Sequence, residues 1–140
     1  MEPYIDIFVS EEDLVENIQI DFAFYYPYLK LQFFTNPHGE KEASAKQDLL
    51  SSQLPISEIA MFHKSGRINI SPIRKTSQVE NDFYFQLGLN VQVFRKAGAL
   101  WLETTKTDDL SLKVQNEMGK NACGPMPATI PVEFDLQDGE

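Results

Sequence analysis

The chain has 140 residues, 42% of them hydrophobic and 24% charged, with a formal net charge of −9. That length and mixture suit one globular core that folds without a staple, and a single cysteine, Cys123, excludes an internal disulfide or a multi-thiolate zinc site. The acidic balance repels phosphate backbones, so nucleic acid is not an expected partner, and no apolar run approaches the ~20 residues that span a bilayer.

The N-terminus, Met1-Glu-Pro-Tyr-Ile-Asp6, lacks the basic region of a secretion signal, so a cytoplasmic protein without membrane contact is expected. After a short strand at Ile5–Ile7, Ser10 stands where a cap belongs, and a helix is expected from Glu11 to Tyr26. Glu11, Glu12 and Asp13 in its first turn suit the helix dipole, and Pro27 ends it. Ile18, Ile20, Phe22, Phe24 and Tyr26 also alternate as a strand would; the matching segment of the second half decides for helix. Tyr28 to Thr35 reads as a strand, residues 36–47 as a polar loop, and a short strand near Asp48–Ser51 closes the hairpin. Pro55 opens a helix through about His63, and Ser65-Gly66 breaks it.

In the second half, Arg67 to Ser71 is a strand stopped by Pro72. Thr76 or Ser77 caps the next helix, and Ser77 with Glu80 fits a capping box. Val79, Phe83 and Leu87 supply its apolar face, and Gly88 the left-handed residue that ends it. Leu89–Arg95 and Leu100–Thr105 form a β-hairpin turned at Lys96–Ala99, with apolar residues on both faces of the second strand, as in a central strand. Asp108 or Asp109 caps a last helix with Leu110, Val114 and Met118 inward and Gly119 at its end. From Asn121 the chain is rich in proline and acid and reads as extended or disordered, with Ile130–Asp135 as an added edge strand.

The two halves nearly repeat. Leu29-Lys-Leu-Gln-Phe-Phe34 matches Leu89-Asn-Val-Gln-Val-Phe94 at an offset of 60, and Asp21-Phe-Ala-Phe24 matches Asp82-Phe-Tyr-Phe85 at 61. Ile5-Asp-Ile7 matches Ile68-Asn-Ile70 at 63. A period this long suits a duplicated half-domain rather than a solenoid unit. The expected fold is α+β: duplicated β-α-β-β-α halves forming a mixed, ferredoxin-like sheet with helices packed on it, two small sheets being the alternative. Residues 1–120 form one domain of two repeats, about 4–63 and 67–119, and 121–140 a tail.

Residues 90–116, Asn-Val-Gln-Val-Phe-Arg-Lys-Ala-Gly-Ala-Leu-Trp-Leu-Glu-Thr-Thr-Lys-Thr-Asp-Asp-Leu-Ser-Leu-Lys-Val-Gln-Asn, resemble a signature of small bacterial proteins common among Bacteroidetes. Phe33-Phe34 with Pro37-His38 is similar to their first half, and the likeness covers residues 5 to 120. Leu110 departs from the pattern, where Trp is expected after the two aspartates. The resemblance implies kinship and bacterial origin, and no activity.

No phosphate loop, nucleophile elbow or metal-ligand spacing is present, so no cofactor or metal is expected, and His38 and His63 stand apart in sequence. Residues 1–29 hold seven acids and no Lys or Arg, whereas residues 64–106 hold seven bases against three acids. If the chain binds a small anion or acts as a small enzyme at the junction of the repeats, Arg95, Trp101, Glu103 and Asp108 are the first candidates to line the site. The reading preferred to that one is a non-catalytic interaction protein with a protein partner or a second copy. Beyond its core face the first helix carries Ile20 and Phe24, with Tyr25 and Tyr28 nearby, more aromatic surface than one face needs.

Overall fold

The computed structural model describes residues 3–35 and 48–123. In chain order these form β1 (Asp6–Val9), α1 (Val15–Tyr25), β2 (Leu29–Phe34), α2 (Ile56–Ile59), β3 (Gly66–Asn69), α3 (Thr76–Leu87), β4 (Asn90–Ala97), β5 (Leu100–Glu103) and α4 (Leu112–Cys123), with a 3-10 turn at Thr105–Thr107. The class is α+β as expected, but these strands do not make one mixed sheet. β1 pairs with β3 in one sheet, and β2, β4 and β5 lie in that order in another; every pairing is antiparallel. The tail beyond Cys123 and the loop 36–47, with His38, fall outside the described residues.

The core explains the separation. β1 and β3 alternate, with Ile7, Val9 and Ile68 buried and Phe8 and Arg67 outward, so a four-residue ribbon buries a single face. On β2 and β4 the register pairs Leu29 with Arg95, Leu31 with Val93 and Phe33 with Val91, all on the helix-facing side. α1 and α3 contact both sheets and fill the space between them with Val15, Ile18, Phe22, Val79, Phe83 and Leu87. Fully burying side chains such as Phe22, Phe33 and Phe83 contributes roughly 2–3 kcal/mol each. Tyr26 anchors the end of α1 by donating its hydroxyl to the Ile70 carbonyl, and burial raises its pKa.

Helix starts are held largely by backbone acceptors that no cap residue announces, with Ser111 before α4 the exception. The first N–H groups of a helix lack intrahelical partners and are usually met by a side chain. Here the helix starts of each half satisfy one another through backbone. Val15 and Glu16 donate to the carbonyls of Leu54 and Ser52, at 2.9 Å each, while Ile56 and Ser57 donate to Asp13 and Glu11, at 2.8 and 3.0 Å. In the second half Thr76 and Ser77 donate to Leu110 and Asp108, at 2.9 and 2.7 Å, and Leu112 and Lys113 to Arg74 and Pro72, at 2.9 and 3.0 Å. The bridges Leu14–Pro55 and Lys75–Ser111 sit at the centre of the two sets. Ser10, Ser77 and Asp109 therefore do not cap as expected, and α1 starts at Val15 rather than Glu11. Asn17 and Gln78 accept from the N–H of Leu14 and Lys75, and Ser111 accepts from Val114.

Other boundaries shift for related reasons. The strand expected near Asp48–Ser51 is a single bridge, Phe34–Leu49, flanked by backbone bonds from Thr35 to Asp48 and from Leu50 to Phe33. α2 is one turn rather than a helix to His63, because Ala60 is extended and Met61 N–H leaves to bond the Gly88 carbonyl. Gly88 ends α3 at φ 68°, as expected. Gly119, expected to end α4, lies within it. A Cβ at Gly119 would stand 2.9 Å from Tyr28 Cβ, 3.0 Å from the Tyr28 carbonyl oxygen and 3.2 Å from Arg95 Cγ. Gly119→Ala gains ~1 kcal/mol of helix propensity and loses ~1–3 kcal/mol to overpacking. A lower melting temperature is the expected net result; a raised one in a thermal melt would show that α4 does not seat this closely.

Candidate interaction surface

α1 buries Val15, Ile18 and Phe22 at helical spacing, and this face docks on the core. Ile20 and Phe24, two positions further on, therefore fall away from it, and they are 62% and 77% exposed. Tyr25 is also exposed, and the Phe24 and Tyr25 rings meet edge to face at 5.0 Å. Phe8 points outward from β1, and a cleft of about 360 Å³ lies between it and α1, lined by Asp6, Ile7, Phe8, Asp21, Phe24 and Tyr25. Phe8 was not singled out in the sequence; its alternation with buried Ile7 and Val9 was the available signal. Tyr28 does not join this surface. Its Cβ lies beneath Gly119 of α4, and its N–H donates to Asn116 Oδ1 at 2.9 Å.

The four candidates for a small-molecule site are divided by the sheet. β4 pairs Lys96 with Trp101 and Phe94 with Glu103, so Trp101 and Glu103 project from the face opposite the helices. There Trp101 has Lys96 Nζ 4.9 Å and Lys30 Nζ 5.6 Å from its ring centroid. Arg95 is buried on the helix side and donates to Gln115 Oε1 at 2.7 Å, while Gln115 donates to the Thr107 carbonyl at 2.7 Å. Asp108 is buried too, 2% exposed. The sequence pattern suggests a central β5, whereas among the described residues β5 is an edge strand, with Leu100 exposed and Leu102 buried, and the division follows from that order. Beside Phe94, Gln92 is fully buried and its amide has no hydrogen-bond partner among the described residues.

A buried acid was missed altogether. Glu80, assigned to a capping box, points inward from α3 and accepts from Val93 N–H at 2.9 Å, while Thr104 Oγ1 donates to the Val93 carbonyl at 2.8 Å. These two side chains occupy the backbone groups that β4 would offer to a longer β5, which stops opposite Phe94. Burial pushes the Glu80 carboxyl up to about 8; the Val93 N–H opposes the shift and the charge of Asp108 adds to it. The Val79–Phe83–Leu87 stripe places Glu80 one step from the core face, and that was the overlooked signal.

Among the described residues no group of three or more His, Cys, Asp or Glu is placed to hold a metal ion. His63 lies 3.6 Å from Glu11 in a turn after α2. Among the same residues no helix is long and apolar enough to cross a membrane. Comparison with protein-family models, with curated proteins and with solved structures finds no match for this chain.

Proposed function

We propose that the protein is a non-catalytic interaction module that engages a protein partner through the outer face of α1. The observation that carries this reading is Phe24, 77% exposed beside Ile20, Tyr25 and Phe8. Aromatic side chains of this size supply the central contacts of protein interfaces. The division of Arg95 and Asp108 from Trp101 and Glu103 by the sheet weighs against a catalytic or anion site built from those four. The repeated helix-start bonds favour descent of both halves from one β-α-β-β-α unit, and a cytoplasmic setting suits the composition.

Ile20→Asp and Phe24→Asp together place two charges on the surface without touching the core. The variant is expected to keep its circular dichroism and melting temperature and to lose capture of a partner that the parent retains. A parent that self-associates would instead lose mass in light scattering on substitution. Unchanged capture together with unchanged mass would remove the proposal.

A further inference from the structure

We infer that the cleft between β1 and α1 receives the guanidinium of an arginine presented by an apolar segment of a partner protein. This rests on the interaction reading and specifies its anchor. Phe8 from β1 and Phe24 and Tyr25 from α1 line the cleft together with the carboxylates Asp6 and Asp21. Aromatic faces attract cations through the ring quadrupole, and a carboxylate beside them fixes a guanidinium in plane. The chain displays this chemistry once already. Arg67 lies over the Phe8 ring at 5.5 Å and donates to Asp6 Oδ1 at 3.1 Å.

That pairing neutralises Asp6 and leaves Asp21. No described residue gives Asp21 a hydrogen bond or a cation, and residues 1–29 contain no Lys or Arg. Asp21 is exposed on α1, and partial desolvation, with a further contribution from Asp13, raises its pKa. Arginine is favoured over lysine because the planar guanidinium stacks on a ring and bonds a carboxylate at the same time. Ile20, beyond Phe24 on the same helix, extends the apolar surface for the residues flanking that arginine.

The test is an NMR titration of the full chain with three capped tripeptides, acetyl-Leu-Arg-Leu-amide, its Lys analogue and its citrulline analogue, which keeps the shape of arginine without the charge. The arginine peptide is expected to shift the signals of Phe8, Asp21, Phe24 and Tyr25, with the citrulline peptide at least tenfold weaker. Asp21→Asn should abolish the difference between them while leaving the spectrum of the core unchanged. Equal shifts from the arginine and citrulline peptides would mean apolar contact alone, and a lysine peptide as strong as the arginine one would mean a site for any cation; either result overturns the inference. No shift at the cleft at millimolar peptide overturns it too. The broader interaction reading fails separately, only if the Ile20→Asp, Phe24→Asp variant keeps its partner and its mass.

Discussion

Glu80→Gln is expected to match the parent protein in stability at pH 5 and to exceed it at pH 9. The Glu80 pKa is about 8 in the folded protein, against an ordinary value of 4.5. Between those values the folded state keeps a proton that the unfolded chain has released. The stabilising contribution is therefore complete below about 4.5, declines as pH rises, and is lost once pH passes about 8. At 1.36 kcal/mol per pKa unit the whole span is on the order of 5 kcal/mol. Glutamine keeps an oxygen to accept from Val93 N–H and carries no charge to desolvate. Urea midpoints measured from pH 5 to pH 9 should diverge, the parent falling and the variant lying above it at the alkaline end. Parallel curves would mean that this carboxyl holds no extra proton in the folded state.

Gly88→Ala is expected to be strongly destabilising for a single added methyl, because Gly88 is buried at the end of α3. At φ 68° a Cβ costs ~1–2 kcal/mol in conformation alone. The new atom would also stand 2.9 Å from Phe62 N and 3.0 Å from Met61 N, which are backbone atoms and yield less readily than a side chain. Overpacking of that kind costs ~1–3 kcal/mol, so the combined loss is about 2–5 kcal/mol and the melting temperature should fall by ~10 °C. Gly88→Asn separates the two contributions, since asparagine tolerates the left-handed region but carries the same Cβ. It should remain clearly destabilised. If it melts with the parent, the approach of Met61 and Phe62 is not the constraint.

The sequence made most of the elements legible and little of their assembly. Val79, Phe83 and Leu87 with Gly88 located α3 and its end, and the alternation through Leu89–Arg95 located β4, because periodicity and a terminal glycine are local properties. The starts of α1 and α4 were misplaced because their N–H groups are met by carbonyls of a segment roughly 40 residues away, and a backbone acceptor leaves no mark on residue identity. Gly119 resembled a helix terminator for a similar reason: nothing local shows that Tyr28 presses against it. The aromatic surplus at Ile20 and Phe24 was legible because an amphipathic helix has one expected face. The separation of Arg95 from Trp101 depended on strand order, which single-strand patterns do not encode.

The pairings β1–β3 and β2–β4 each join the first half of the chain to the second, and among the described residues the only strand pairing within one half, beyond single bridges, is the β4–β5 hairpin. A half on its own would thus hold its helix starts together yet leave long strand edges open and the core faces of α1 or α3 wet. Without the link through residues 60–65, the same contacts would have to form between two molecules, and stability would rise and fall with their concentration. The short connection removes that dependence by holding the complementary edges at a local concentration in the millimolar range or above. In this sense the turn between the halves acts as a tether: it makes an otherwise bimolecular assembly fold as one chain.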